Sequence, residues 1–187
     1  MKKILKIYGL PRTGTNALYW LLTLNFKNYT CDLSEFGVHY LGWKHGVPPS
    51  EDVIKAIVKQ TQEQILFVFT KREYQSWKEA VLTRHQGTWE FPSRFKSKDC
   101  FFYNTPNGFE VHKDIEEFYN NRQNIYDEFA LKHPDNSIII NFEDLQKDQV
   151  QVAQKIKDKF DLDLSNGFIT PITKRINCSG HWEDLIQ

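Results

Sequence analysis

The residues best suited to chemistry lie near the start of the chain, in the segment Tyr8-Gly9-Leu10-Pro11-Arg12-Thr13-Gly14-Thr15-Asn16. A strand-like run from Lys3 to Tyr8 precedes this loop, and a helical run from Thr15 to Phe26 follows it. The backbone N–H groups of a loop in this position, together with the positive end of the following helix, attract anions. The segment therefore predicts an anion-binding loop.

The spacing from Gly9 to Gly14 resembles the Walker A pattern of nucleotide-binding loops. That pattern requires a lysine and then a serine or threonine after the second glycine, where this chain has Thr15 and Asn16. The positive charge lies inside the loop instead, at Arg12. This difference indicates that the loop holds another group than the terminal phosphates of ATP.

The loop resembles the 5′-phosphosulfate loop of sulfotransferases that use 3′-phosphoadenosine 5′-phosphosulfate (PAPS). The matching residues are Gly9, Pro11, Arg12, Thr13, Gly14, Thr15 and Leu18. Asn16 departs from the family pattern and retains an amide that can donate a hydrogen bond. The resemblance implies that residues Pro11 to Asn16 bind the 5′-phosphate and the sulfate.

A second match to the family follows the third predicted strand. In sulfotransferases a basic residue at this strand end and a serine farther on contact the 3′-phosphate, and Arg72 fits the basic position. An arginine can bind a phosphate through two parallel hydrogen bonds and stays charged. Ala80 stands where the family has serine, so Ser76 is the candidate replacement, with Lys71 as another.

A third match lies near the C-terminus. The segment from Lys174 to Trp182 resembles the loop that closes over the nucleotide in cytosolic sulfotransferases, with Arg175, Gly180 and Trp182 in matching positions. The resemblance implies that Arg175 binds the 3′-phosphate. Trp182 fits nucleotide binding and core packing equally well.

Sulfuryl transfer needs cations near the leaving oxygen and a base near the acceptor hydroxyl. Lys44-His45 resembles the family segment that supplies the catalytic histidine, which implies His45 as base and Lys44 with Arg12 as stabilisers of the bridging oxygen. In glycan-directed members a glutamate after the loop helix is the base. Glu35 is therefore the competing base, with His39 behind it.

The remaining elements alternate between strand and helix. The predicted strands are Val38 to Trp43, Ile65 to Thr70 and Ser137 to Phe142. Four further helices are predicted: one that starts near Glu51, and three that span Tyr74 to His85, Lys113 to Lys132 and Lys147 to Phe160. The helix near Glu51 has an apolar stripe of Val53, Ile54, Ile57 and Val58. The helix from Lys113 to Lys132 is expected to bury Phe118, Tyr119, Ile125, Tyr126 and Phe129. This alternation predicts an α/β fold, a single three-layer α/β/α domain over residues 1–187 with a mainly parallel sheet and P-loop-like sulfotransferase architecture.

Composition excludes several classes of function. Lysine plus arginine and aspartate plus glutamate are equal at 24 each among 187 residues, which disfavours nucleic-acid or membrane-surface binding. Three widely spaced cysteines fit no disulfide or metal pattern, so we expect no metal. With no apolar run long enough to span a bilayer, we expect a cytoplasmic protein.

The acceptor and two rival functions remain open at this level. Residues 86–112 lack a steady period and are expected to recognise a small-molecule or glycan acceptor, with the aromatic residues Trp89, Phe91, Phe101, Phe102 and Tyr103. One rival is a small nucleotide or metabolite kinase on a related fold. The other is a non-catalytic module that binds the nucleotide. The oligomeric state is not indicated.

Overall fold

The computed structural model describes residues 2–32, 41–83, 101–105 and 108–173. Eight strands and six α-helices occur in these ranges: β1 (Lys3–Gly9), α1 (Thr15–Asn25), β2 (Phe26–Lys27), β3 (Tyr29–Asp32), α2 (Glu51–Thr61), β4 (Gln64–Lys71), α3 (Tyr74–Thr83), β5 (Phe101–Thr105), β6 (Gly108–His112), α4 (Ile115–Lys132), β7 (Ser137–Asn141), α5 (Phe142–Lys147), α6 (Gln149–Phe160) and β8 (Asp163–Leu164).

The main sheet has four parallel strands in the order β3-β1-β4-β7. In the long central pair, Lys3 lies opposite Gln64 and Gly9 opposite Thr70, so β1 and β4 end at the same edge. Both strands are buried along almost their whole length because both of their faces are covered. Two antiparallel pairs, β2-β8 and β5-β6, lie outside this sheet.

Helices pack on both faces of the sheet. On one face Leu5, Val68 and Ile140 contact α1 and α6. On the other face Tyr8 and Phe69 pack with residues of α2 and α4. The prediction of an α/β fold with a mainly parallel sheet is confirmed. The sheet and the helices on its two faces form three layers, and one apolar cluster lies at each boundary between them.

Of the predicted second strand, Val38 to Trp43, residues 38–40 lie outside the described residues, and the described remainder does not form a strand. The chain enters the sheet at β3, and the described part of the predicted strand, residues 41–43, is irregular. Leu41 is fully buried, but its carbonyl accepts from the Tyr8 hydroxyl, and the Gly42 carbonyl accepts from Lys6 Nζ at 2.6 Å. Side chains therefore satisfy the carbonyls that a strand would pair, and the left-handed φ of 80° at Gly42 breaks the extended backbone.

Two predicted apolar stripes are narrower than the sequence suggested. In α2 only Ile57 is buried, while Val53 and Val58 are exposed on either side of the line that faces the sheet. In α4 Phe118 and Tyr126 are buried as predicted, whereas Ile125 is exposed. Each helix contacts the sheet along a single line of residues, so flanking apolar residues remain in solvent.

The helix predicted from about residue 147 to 160 is confirmed as α6, and the short helix α5, which was not predicted, precedes it. The short helix α5 ends at Lys147, and α6 begins after Asp148, whose carboxylate accepts from Gln151 N at 2.9 Å. An aspartate at this position satisfies an N–H group that the helix itself leaves unpaired. Asp148 thus marks the start of α6 as a helix separate from α5.

The predicted recognition segment, residues 86–112, is described only in part. Residues 84–100 and 106–107 lie outside the described residues, and with them Trp89 and Phe91. The rest forms the hairpin β5-β6, with Phe101 opposite His112. Within the described ranges, no helix is both long and apolar enough to cross a membrane.

Candidate functional site

The loop between β1 and α1 is tightly folded. Arg12 and Gly14 have left-handed φ angles of 72° and 85°. Between them, Thr13 is fully buried, and both its N–H group and its hydroxyl donate to Leu10 O, at 3.2 Å and 2.7 Å. The buried Thr13 side chain therefore stabilises the conformation of the loop.

Thr13 also joins the loop to the neighbouring strand β4. Its Oγ1 lies 2.7 Å from Thr70 Oγ1, and both hydroxyls are buried. Gly9 makes this contact possible, since a Cβ there would lie 1.9 Å from Thr70 Oγ1 and 2.5 Å from Thr13 Oγ1. The sequence drew attention to Gly9 and Thr13 but not to Thr70, which ended an apolar strand.

Gly14 lets the loop pack against α5. A Cβ at Gly14 would lie 2.7 Å from Phe142 Cδ2 and 3.3 Å from Leu145 Cδ2. Leu18 N donates to Gly14 O at 2.9 Å, so α1 begins directly after this glycine with Thr15 buried in its first turn. The first N–H groups of α1 consequently face the loop.

Arg72 is fixed beside the same loop. Its Nε donates to Ser76 Oγ at 2.9 Å and its Nη1 to Arg12 O at 3.0 Å. The guanidinium lies over the ring of Phe142, 4.4 Å from its centroid. The Tyr119 hydroxyl donates to Arg72 O, which anchors the backbone at the end of β4.

Ser76 and Lys71, the two candidates to assist Arg72, differ in position. Ser76 orients the guanidinium directly. Lys71 points to α4, where its Nζ lies 2.8 Å and 2.7 Å from the two carboxylate oxygens of Asp127. Pro11, at the other side of the loop, has its carbonyl bonded to Trp77 Nε1 at 2.8 Å.

Lys44 and His45 lie against the first and last residues of the loop. Gly9 N donates to Lys44 O at 2.9 Å, and His45 Nδ1 donates to Gly9 O at 2.6 Å. Lys44 Nζ donates to Asn16 Oδ1 at 2.9 Å. Since β3 ends opposite Lys6, this segment occupies the position beside Gly9 that a longer strand would take.

His45 is held as a neutral imidazole. Burial, followed by the positive charge of Lys44 and then by those of Arg122 and Arg12, lowers the pKa of His45 to about 3, against the opposing effect of the Gly9 carbonyl. Because Nδ1 carries the proton that Gly9 O accepts, Nε2 has the lone pair. Nε2 is therefore the nitrogen at which the ring would be protonated, although a pKa this low makes the ring a weak base in the absence of a nearby anion.

The sheet topology explains why these groups meet. From β1 the chain leaves over one face of the sheet through α1, and from β4 it reaches β7 through α4 on the other face. The carboxyl ends of β1 and β4 thus flank the point where the strand order reverses, which is where ligands bind in open α/β sheets. Gly9, Thr70 and Arg72 all lie there.

The remaining predicted site residues lie outside the described part of the chain. These are Glu35 and His39, the alternative bases, and Arg175, Gly180 and Trp182 of the predicted closing loop. Among the described residues, no group of three or more His, Cys, Asp or Glu side chains is arranged to hold a metal ion. Cys31, in β3, is half-buried.

Comparisons with known proteins identified no relative of this chain. No protein-family model matches the chain, and neither a curated protein nor a solved structure is significantly similar to it.

Proposed function

We propose that the chain is a sulfotransferase, which transfers a sulfuryl group from PAPS to a hydroxyl or amine of an acceptor and releases adenosine 3′,5′-bisphosphate. The observation that carries the proposal is the contact of Lys44 and His45 with the two ends of the anion loop. A cation and a neutral imidazole with a free Nε2 lone pair lie beside a loop that is built for an anion.

The donor set suits the phosphates of the nucleotide. Ser76 and the Arg12 carbonyl occupy two of the five N–H donors of Arg72 in the described part of the chain, so three remain for a phosphate. The N-terminus of α1 and the loop backbone favour the 5′-phosphosulfate. The glycines keep the loop close to the sheet, where a side chain at either position would disrupt it.

Sulfuryl transfer requires little more than positioning and cationic side chains. The bond between sulfur and the bridging oxygen breaks as a new bond forms from sulfur to the acceptor oxygen. Arg12 and Lys44 stabilise the negative charge that develops on the bridging oxygen. His45 Nε2 takes the proton that leaves the acceptor hydroxyl.

Isothermal calorimetry with adenosine 3′,5′-bisphosphate, 5′-AMP and ATP plus magnesium tests the nucleotide site. We expect the bisphosphate to bind about 10- to 100-fold more tightly than 5′-AMP, as charge-assisted hydrogen bonds to a 3′-phosphate would give. Arg72→Ala should remove this preference, and Arg12→Ala should weaken both ligands because the loop is common to them.

Lys55→Ala is the matched control, since it removes a cation whose only described partner is Glu51 on the exposed surface of α2. It should leave the affinities unchanged. Magnesium-dependent ATP binding without bisphosphate binding would contradict the proposal and favour the kinase. Bisphosphate binding without transfer to any acceptor would favour the non-catalytic module.

A further inference from the structure

One face of α4 runs from Arg72 to the segment that holds His45. At one end the Tyr119 hydroxyl donates to Arg72 O, and at the other end the Tyr126 hydroxyl donates to Gly46 O at 2.9 Å. Residues three or four positions apart share a helix face. Arg122 and Gln123 therefore lie between these two anchors.

Arg122 is buried on this face of α4. Its side chain is 1% exposed, and its Nη2 lies 2.6 Å from both carboxylate oxygens of Glu110. Its Nη1 has no hydrogen-bond partner among the described residues. The charge of Arg122 contributes to the lowered pKa of His45, so the guanidinium is within electrostatic reach of that ring.

Gln123 also has buried polar atoms without a hydrogen-bond partner in the described structure. It is 5% exposed, and in the described structure neither Oε1 nor Nε2 is hydrogen-bonded. Buried amides and guanidinium groups in proteins are almost always bonded, because an unpaired one is destabilising. Arg122 and Gln123 are consecutive and buried, and both have polar atoms without a hydrogen-bond partner in the described structure. These atoms indicate that a bound ligand supplies a polar group to them.

We propose that Arg122, Gln123 and Glu110 bind the acceptor, and that this acceptor is polyhydroxylated, as a sugar is; the inference rests on the proposed sulfotransferase activity. One hydroxyl would face His45 Nε2, and its neighbours would bond to the α4 face. Arg122 Nη1 donates, Gln123 both donates and accepts, and the Glu110 carboxylate, whose side chain is 35% exposed, accepts.

Other acceptor classes fit this set of groups less well. The single hydroxyl of a simple phenol is used at His45, which leaves the buried groups of Arg122 and Gln123 unpaired beneath an apolar ring. A carboxylate or sulfate on the acceptor would meet the negative charge of Glu110. Neighbouring hydroxyls, which donate and accept at once, satisfy all three side chains.

The test compares transfer from PAPS to methyl β-glucopyranoside, methyl β-galactopyranoside and N-acetylglucosamine with transfer to 4-nitrophenol and 2-naphthol. The full chain is used, and sulfated products are measured by mass spectrometry. We expect transfer to at least one sugar and none to the phenols. Transfer to phenols alone, or to no sugar, would overturn the inference.

Gln123→Met separates an acceptor-binding role from a structural one. Because the amide has no described partner, the variant should keep or raise the melting temperature while it raises the acceptor KM about tenfold or more, as the loss of a donated and an accepted hydrogen bond would. An unchanged KM would overturn the role of Gln123.

Gln149→Met is the matched control. The Gln149 amide is fully used, since it donates to Ile172 O at 3.2 Å and accepts from Ile172 N at 2.7 Å. This variant should lower the melting temperature and leave the acceptor KM unchanged. Calorimetry with the bisphosphate on the same samples distinguishes the two failures: retained binding without sugar transfer rejects only the acceptor inference, and lost binding rejects the nucleotide site itself.

Discussion

Replacing His45 by asparagine should make the folded protein less sensitive to acid. The substitution removes the titratable ring, while the asparagine amide can still donate to Gly9 O in place of Nδ1. The pKa of His45 is lowered to about 3 by burial first and then by the neighbouring cations. In the unfolded chain the same ring has a pKa of about 6.5.

The sign and size of the effect follow from these two pKa values. Between pH 6.5 and pH 3 the unfolded chain binds a proton at His45 that the folded chain does not, so the free energy of unfolding falls as pH falls. The slope is at most about 1.4 kcal/mol per pH unit, which gives a loss of about 2 kcal/mol between pH 7.5 and pH 5.0. Above pH 6.5 this contribution is fully retained.

Urea unfolding of both proteins at pH 7.5 and pH 5.0 measures the difference directly. The other histidines contribute equally to both proteins, so the native protein should lose about 2 kcal/mol more than His45→Asn over this range. Equal losses would refute the reasoning, because they would mean that His45 titrates alike in the folded and unfolded chains.

A bound anion should reverse part of the pKa shift. Adenosine 3′,5′-bisphosphate would bring negative charge close to Lys44 and Arg12, two of the cations that lower the pKa of His45. NMR titration of the histidine Hε1 resonances, with His45→Asn to assign the signal, should show the His45 pKa rising in the complex. A pKa that does not move would separate His45 from the nucleotide site.

Two further substitution pairs probe the loop. Thr13→Val removes the hydrogen bonds to Leu10 O and Thr70, and Thr70→Val removes the shared bond together with the longer one from Thr70 Oγ1 to Tyr8 O at 3.3 Å, so each substitution should lower the unfolding free energy by about 1–2 kcal/mol. The double mutant should lose less than the sum in urea unfolding, and simple additivity would show that the two hydroxyls do not interact. Gly14→Ala and Gly167→Ala impose similar strain at φ angles of 85° and 78°, but only the first brings a Cβ against Phe142. Gly14→Ala should therefore be about 1–3 kcal/mol more destabilising and also weaken bisphosphate binding, and equal effects of the two variants would contradict the packing argument.

Much of the fold could be predicted from local patterns. The continuous apolar run at β4 and the glycine loop after β1 are properties of adjacent residues, and both elements were found where they were predicted. The second strand could not be located in this way. Tyr29 to Asp32 is short and carries no clear alternation, and its pairing with β1 depends on contacts that the sequence order does not reveal.

The candidate site was predictable only in its separate pieces. Arg12, Lys44, His45 and Arg72 were selected by residue type and by their order along the chain. Thr70 was not selected, because a threonine at the end of an apolar strand has no distinguishing pattern. Its role depends on the contact with Thr13, which is 57 residues away in sequence.

The sequence by itself determined the periodicity of the elements, the position of the anion loop and the types of charged side chains near it, because these depend on neighbouring residues. Only the tertiary structure decided which of these groups meet. The parallel register of β1 and β4 brings Gly9 opposite Thr70, and the segment of Lys44 and His45 lies beside Gly9 at the edge beyond β3. Hydrogen bonds from Tyr119 and Tyr126 tie α4 to the same region. Hydrogen bonds and buried charges act over a few ångströms, and the packing of the whole sheet and its helices sets those distances.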